Sequence, residues 1–352
     1  LVSPNLMSFM LILGKKVIFD AVKTLKSPLT TVLFPIIYTL VFVVGLPTNG
    51  LAIWVFLFRT KKKHSSSIYM ANLAVADLMF VLWLPLKISY HINGNHWVYG
   101  EPLCKVLTSF LYGNMYCSVL FIACFSMQRY WAVAHPLSLQ QKNNKVAIGI
   151  SVVIWVFIWL TTTPFYLYKQ TVKLKDPRVT TCHDVIIIEE PKYPFGSIQL
   201  LLYYFIFMSL VVFISCVVIF VAYILLLRKL GGNKEKNMAS KKRHKVVLLV
   251  VVVLVMFLVC FIPSNIVLVW HYSLPKNWLD SNIYRYYIST LCLSSLNSCL
   301  DPFIYYFVSE NFRNHVKNTL LCRSRRTVDR MRVVFSSMKY SKKNKANSTC
   351  SR

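Results

Sequence analysis

Leu33-Phe34-Pro35-Ile36-Ile37-Tyr38-Thr39-Leu40-Val41-Phe42-Val43-Val44 lies in a block with no Lys, Arg, Asp or Glu between Lys26 and Arg59. About 20 apolar residues wound as a helix cross the ~30 Å hydrocarbon layer of a bilayer. The block from Thr30 to Phe58 therefore reads as a membrane span. Six more follow: Ser67 to Ile92, interrupted by Asp77; Leu103 to Tyr130; Val146 to Tyr168; Phe195 to Leu227; Val246 to Tyr272; and Ile283 to Val308. Helix is the expected form, because lipid offers no partner to the backbone of a lone strand. The expected fold is an all-α membrane protein, a seven-transmembrane-helix bundle over 30–308 behind an outer segment at 1–29.

Composition and charge agree. The 352 residues are 56% apolar and 15% charged, with a mean hydropathy of +0.53; soluble domains sit near 45–50% and about 25%. The net charge of +28 admits two readings, a nucleic-acid partner or an uneven membrane topology. With the amino terminus outside, 27 of the 40 Lys and Arg fall in the inner loops and tail. Asp20, Glu101, Asp176, Asp184, Glu189, Glu190 and Asp280 fall outside. That is positive-inside bias, so no nucleic-acid partner is expected.

The flanks carry weaker signals. The chain opens on Leu1 rather than Met, and its natural start is expected upstream. Leu6 to Leu13 is too short to span; it reads as a signal-peptide remnant or as local sequence. After the last span, Phe312, Val316 and Leu320 recur every four residues among Arg313, Lys317 and Asn318. This predicts a short amphipathic eighth helix within 309–322, lying on membrane lipids. Cys322 at its end suits palmitoylation; an unmodified thiol at a frayed helix end is the other reading. The Ser- and Lys-rich stretch 323–352 is expected to be a disordered cytoplasmic tail.

Topology sorts the ten cysteines. Cys117, Cys124, Cys216, Cys260, Cys292 and Cys299 lie in spans, while Cys322 and Cys350 face the cytosol. Only Cys104 and Cys182 meet the oxidising side. A disulfide there ties the second outer loop to the third helix, with two free thiols as the alternative. Asp77, Asp301 and Arg129 are ionisable groups inside spans, where each needs a partner or a function. Asn49, Asn114, Ser118 and Asn297 stand in the same segments. Two carboxylates and neutral oxygens suit a hard cation such as sodium. A water-filled network with one carboxylate protonated accounts for the same residues, and the two readings stand level. No other cofactor is expected.

In order along the chain stand Asn49, Leu73-Ala74-Val75-Ala76-Asp77, Gln128-Arg129-Tyr130, Trp155, Cys260-Phe261-Ile262-Pro263 and Asp301-Pro302-Phe303-Ile304-Tyr305. Together they resemble the rhodopsin-type G-protein-coupled receptors, over Thr30 to Arg326. Within that class, Cys182-His183-Asp184-Val185, Gly113-Asn114-Met115-Tyr116-Cys117 and Asn297-Ser298-Cys299-Leu300-Asp301-Pro302 resemble the protease-activated receptors, the trypsin-activated type most of all. Phe56-Leu57-Phe58-Arg59-Thr60-Lys61-Lys62-Lys63-His64 and Leu321-Cys322-Arg323-Ser324 add to the match. Leu111 stands where amine receptors carry an aspartate, and Ser295 where opsins carry the retinal lysine.

The resemblance implies a plasma-membrane receptor. An extracellular serine protease frees a tethered peptide agonist, whose ammonium end needs a carboxylate and aromatic walls. Asp184 and His183 are the expected partners, with Tyr38, Tyr112, Tyr272, Tyr284 and Tyr287 near the outer ends; an interfacial aromatic belt is the competing reading of each tyrosine. Arg129, Tyr223, Phe261, Pro263, Pro302 and Tyr305 are the expected switch residues. A heterotrimeric G protein, the Gq class favoured, and arrestin are the expected inner partners.

Three departures stand out. Gln128 replaces the usual acid before Arg129, Ser215 replaces the usual proline of the fifth helix, and residues 1–29 hold no credible cleavage site. There, Leu11-Ile12-Leu13-Gly14-Lys15-Lys16-Val17 only loosely echoes a Ser-Leu-Ile-Gly-Lys-Val tether. A receptor for another diffusible peptide or a nucleotide is the runner-up. A transporter or channel is a rival of another class, disfavoured by the lack of internal repeats. The sequence shows no nucleophile–base pair, phosphate loop or metal-ligand cluster, so an enzyme is not expected.

Overall fold

The computed structural model describes residues 22–60, 64–135, 144–174, 178–183, 197–231, 236–273 and 281–320. Helix α1 spans Leu29–Arg59, α2 Ser65–Ile92, α3 Gly100–Ala134 and α4 Lys145–Leu167. A two-stranded hairpin follows, β1 over Thr171–Lys173 and β2 over Thr180–Cys182, antiparallel with Thr171 opposite Cys182. Helix α5 covers Ser197–Gly231. Helix α6 runs through Lys236–Met256, a π-helical turn at Phe257–Phe261 and Ile262–Ser273. Helix α7 comes in two pieces, Ser281–Ser294 and Asn297–Val308, and α8 is Glu310–Leu320.

Among the described residues, α1 to α6 are each long and apolar enough to cross a membrane. The seventh segment, read from sequence as one span, is interrupted at Ser295 and Leu296. Two hydroxyls bond back at the break: Ser294 Oγ donates to Leu291 O at 2.7 Å and Ser295 Oγ to Cys292 O at 2.6 Å. Such side-chain bonds compete with the helix ladder. Hydropathy also placed the start of α6 ten residues late. It marks where lipid begins, whereas the helix continues into the cytosol through Lys241, Lys242 and Arg243. Ser215 leaves α5 continuous.

Outer faces suit lipid: Val43, Phe213 and Leu258 are each more than 60% exposed. Polar side chains join the helices inside. Trp155 Nε1 donates to Asn72 Oδ1 at 2.9 Å, linking α4 to α2. Asn49 Nδ2 donates to Ser298 O at 2.9 Å, linking α1 to α7. Gly45 permits that approach, since a Cβ there would sit 3.1 Å from Val81 Cγ2 and 3.5 Å from Ser298 O. Phe312 of α8 is buried, stacked on Phe56 at 5.9 Å and edge-on to Tyr305 at 5.8 Å. The apolar face of α8 is thus seated on α1 and α7. Cys322 lies outside the described residues.

Candidate functional site

Cys104, in the first turns of α3, forms a disulfide with Cys182 at the end of β2. The bond holds the hairpin over the outer end of the bundle and identifies that face as the oxidising one. The next residue, His183, takes a φ of +65°. Its backbone N–H turns back to Gln170 O at 2.8 Å, and its ring enters the bundle, 5% exposed.

That ring orders a chain of hydrogen bonds. Gln170 Oε1 only accepts, so His183 Nδ1–H donates to it at 2.8 Å. His183 Nε2 is then the acceptor for the Tyr112 hydroxyl at 2.9 Å. The Tyr112 oxygen in turn accepts from the Tyr287 hydroxyl at 3.2 Å. Tyr287 stacks on His271 of α6, centroids 4.4 Å apart. Burial, with Lys87 and His271 adding repulsion, pushes the His183 pKa down to about 3. The imidazole is therefore neutral at physiological pH, as this relay requires.

Tyr38, Tyr112, Tyr284 and Tyr287 are all buried. They do not form an interfacial belt; they build the outer core. Tyr38 stacks on His91 at 5.6 Å. His183, Tyr38, Phe34, Phe80, Leu111 and Ile288 line a narrow cleft, about 20 Å³ of it open to water-sized occupants, together with Lys87 and His91. Among these lining residues the full charge is positive, on Lys87. A carboxylate for an ammonium must come from elsewhere, and Asp184 lies outside the described residues. So does the side chain of Tyr272, although its backbone belongs to α6.

Deeper in the bundle, Asp77 and Asp301 are fully buried and lie against each other. Ser298 Oγ carries one proton, for Asp77 Oδ1 at 2.9 Å or Asn297 Oδ1 at 3.2 Å. Asn114 Nδ2 donates to Ser298 Oγ at 3.1 Å, Ser118 Oγ to Asn114 Oδ1 at 3.3 Å, and Asn297 Nδ2 to Ser118 Oγ at 3.3 Å. All five residues singled out by sequence meet in one cluster. Ser298 was missed as a member, because a serine beside Asn297 carries no signal until the α7 break turns it inward. Both Asp301 oxygens and Asp77 Oδ2 are buried without a hydrogen-bond donor.

On the inner half, Arg129 sits over the Phe125 ring at 5.0 Å. Among the described residues no carboxylate pairs with it; Gln128 precedes it in the chain. Tyr223 is buried beside Arg129 and Ser126, and Tyr305 is buried between Phe56 and Phe312, facing Asp77. Phe261 ends the π-helical turn of α6, and Pro263 interrupts the ladder after it. Side chains also bond back onto this turn: Ser264 Oγ donates to Cys260 O at 2.8 Å, and Asn265 Nδ2 to Phe261 O at 2.8 Å. A helix so arranged is built to bend there. Pro302 lies inside the second piece of α7, six residues beyond the break at Ser295 and Leu296.

Comparison with known proteins adds the following. The family described as "7 transmembrane receptor (rhodopsin family)" matches residues 48–305. Human proteinase-activated receptor 2 is 51% identical over 327 residues, 93% of this chain and 81% of the relative. The bovine receptor of that name is also 51% identical, over 93% and 82%. Human proteinase-activated receptor 3 is 41% identical, over 83% of this chain and 75% of the relative.

Proposed function

Because the chain belongs to the rhodopsin family of seven-transmembrane receptors, and within it to the proteinase-activated receptors, we propose that it is a plasma-membrane receptor for a peptide unmasked by an extracellular serine protease. The agonist docks at the outer face, beside the hairpin. The observation that carries this reading is the seating of Cys182 and His183: one covalently fixed loop end reaches Tyr112 of α3 and, through its hydroxyl, Tyr287 of α7. A ligand that moves the hairpin thereby bears on two helices.

The agonist shifts a two-state bundle. It is transmitted through α6 at Phe261 and Pro263 and through α7 at Pro302 and Tyr305. The inner face then opens around Arg129 and Tyr223 to engage a heterotrimeric G protein of the Gq class. Tail sites such as Ser324, Thr327, Ser336 and Ser337 take phosphate and recruit arrestin. Tethering supports a weak ligand by raising its effective concentration.

Asp77 and Asp301, with Asn114, Ser118, Asn297 and Ser298, are proposed to hold a sodium ion. The donor set fits, since hard oxygens surround buried carboxylate atoms that have no other partner. A bound ion there favours the closed packing of α2, α3 and α7.

The test is direct. A free Ser-Leu-Ile-Gly-type hexapeptide should release calcium in cells expressing residues 1–352, whereas trypsin should not, given the weak tether match before Thr30. Silence to the hexapeptide at normal surface levels would refute the peptide reading.

A further inference from the structure

Glu101 and Cys104 stand three residues apart in the first turns of α3, a spacing that puts both on one helix face. The disulfide from Cys104 fixes the end of β2. The Glu101 carboxylate takes the beginning of β1: Oε1 accepts from the Gln170 N–H, and Oε2 accepts from the Thr171 N–H at 2.9 Å and from the Thr171 hydroxyl. Lys105, one turn on, lies 3.9 Å from Glu101 Oε1 and donates its Nζ to Tyr166 O at 2.8 Å. That carbonyl belongs to the last turn of α4, where helical partners run out. Among the described residues Glu101 is the one carboxylate at the outer face, and its oxygens already hold three donors from the hairpin.

We propose that Glu101 is a positioning residue for agonist recognition, a non-covalent clamp that works beside the disulfide. The path is short. Glu101 holds the Gln170 backbone; Gln170 holds His183 through both its backbone and its side chain; His183 holds Tyr112, and Tyr112 meets Tyr287. The disulfide reaches β2 alone, and β1 is tied to α3 through the Glu101 carboxylate. With the clamp in place, His183 has one orientation and the cleft below it one shape. Glu101 does not meet the agonist; it sets the loop that does.

This rests on the peptide-receptor reading above, so the experiment has an arm that does not depend on any agonist. In purified Glu101→Gln receptor, hydrogen exchange at the Gln170 and Thr171 amides should quicken roughly tenfold. Exchange at Val172 and Thr180, inside the hairpin, should change less. The disulfide and surface level should stay as in the parent, while hexapeptide potency falls roughly tenfold. Thr171→Val, which removes only the hydroxyl donor, should give a smaller loss in the same direction. Added to Glu101→Gln it should cost little more, because the two residues act through one contact. Unchanged exchange with reduced potency would mean that Glu101 meets the ligand itself, and the clamp is overturned. Faster exchange with unchanged potency would overturn its role in recognition. Should Glu101→Gln fail to reach the surface, Thr171→Val carries both measurements. A parent receptor deaf to the hexapeptide would sink the agonist reading alone, leaving the exchange arm to decide the clamp.

Discussion

The Tyr112 hydroxyl donates to His183 Nε2 at 2.9 Å, joining the middle of the outer half of α3 to the loop that the disulfide holds above it. One imidazole, uncharged and buried, thus sits between a backbone hairpin and the tyrosine pair that bridges α3 and α7. Consequences for pH, for folding and for ligand recognition follow from that placement.

His183 should make the receptor less stable in mild acid. Its folded pKa is about 3, against roughly 6.5 in an unfolded chain. Between those values the unfolded state binds the extra proton, so stability is complete above about pH 6.5 and is lost as pH falls toward 3. The slope from this group reaches at most about 1.4 kcal/mol per pH unit. Thermal unfolding of purified receptor between pH 7.5 and 5 should show the decline, and His183→Gln should remove part of it. Identical pH slopes in the two proteins would refute the assignment.

Cys182→Ala should abolish surface expression or the peptide response. A native disulfide is commonly worth about 2–5 kcal/mol, and this one joins the ligand loop to the first turns of α3. Flow cytometry with a calcium readout decides it. Normal surface density and normal signalling together would mean the hairpin is held adequately by its other contacts.

Sodium should weaken agonist potency, and Asp77→Asn should erase that sensitivity. The cluster offers Asp301 oxygens that no donor satisfies, which a cation would engage in the resting state. Concentration–response curves in sodium and in an impermeant organic cation supply the comparison. Potency indifferent to sodium in the parent protein would favour a network of waters instead.

Asp184→Asn should reduce hexapeptide potency about tenfold or more, the worth of a charged hydrogen bond at roughly 1.5–3 kcal/mol. The cleft beneath His183 contributes a positive charge, Lys87, so the ammonium end of a peptide has reason to seek an acid, and Asp184 is the next residue in sequence. His183→Ala should cost less, since a neutral imidazole offers no full charge. If potency in Asp184→Asn matches the parent, the ammonium has another partner.

Much of this protein was legible in its sequence. Long apolar blocks poor in charge marked the spans, because lipid penalises ions wherever the chain crosses it and composition records that cost residue by residue. The unequal distribution of Lys and Arg set the orientation, and with it the pairing of Cys104 with Cys182. Asp77 and Asp301 announced a buried polar centre for the same reason of cost. What depends on neighbours was not legible. Ser298 enters the polar cluster only because α7 breaks at Ser295 and Leu296 and turns it toward Asp77 at 2.9 Å. Tyr38, Tyr112, Tyr284 and Tyr287, each taken alone, read better as a lipid-interface belt, and only packing shows them buried in the outer core beside His91, His183 and His271. Glu101 looked like one of several outer acids, and only the folded hairpin brought three donors to it. Partition between water and lipid is a property of each residue and its near neighbours in sequence, so the chain displays it directly. A hydrogen bond between residues 70 or 221 positions apart exists only when helices and loops have already taken their places.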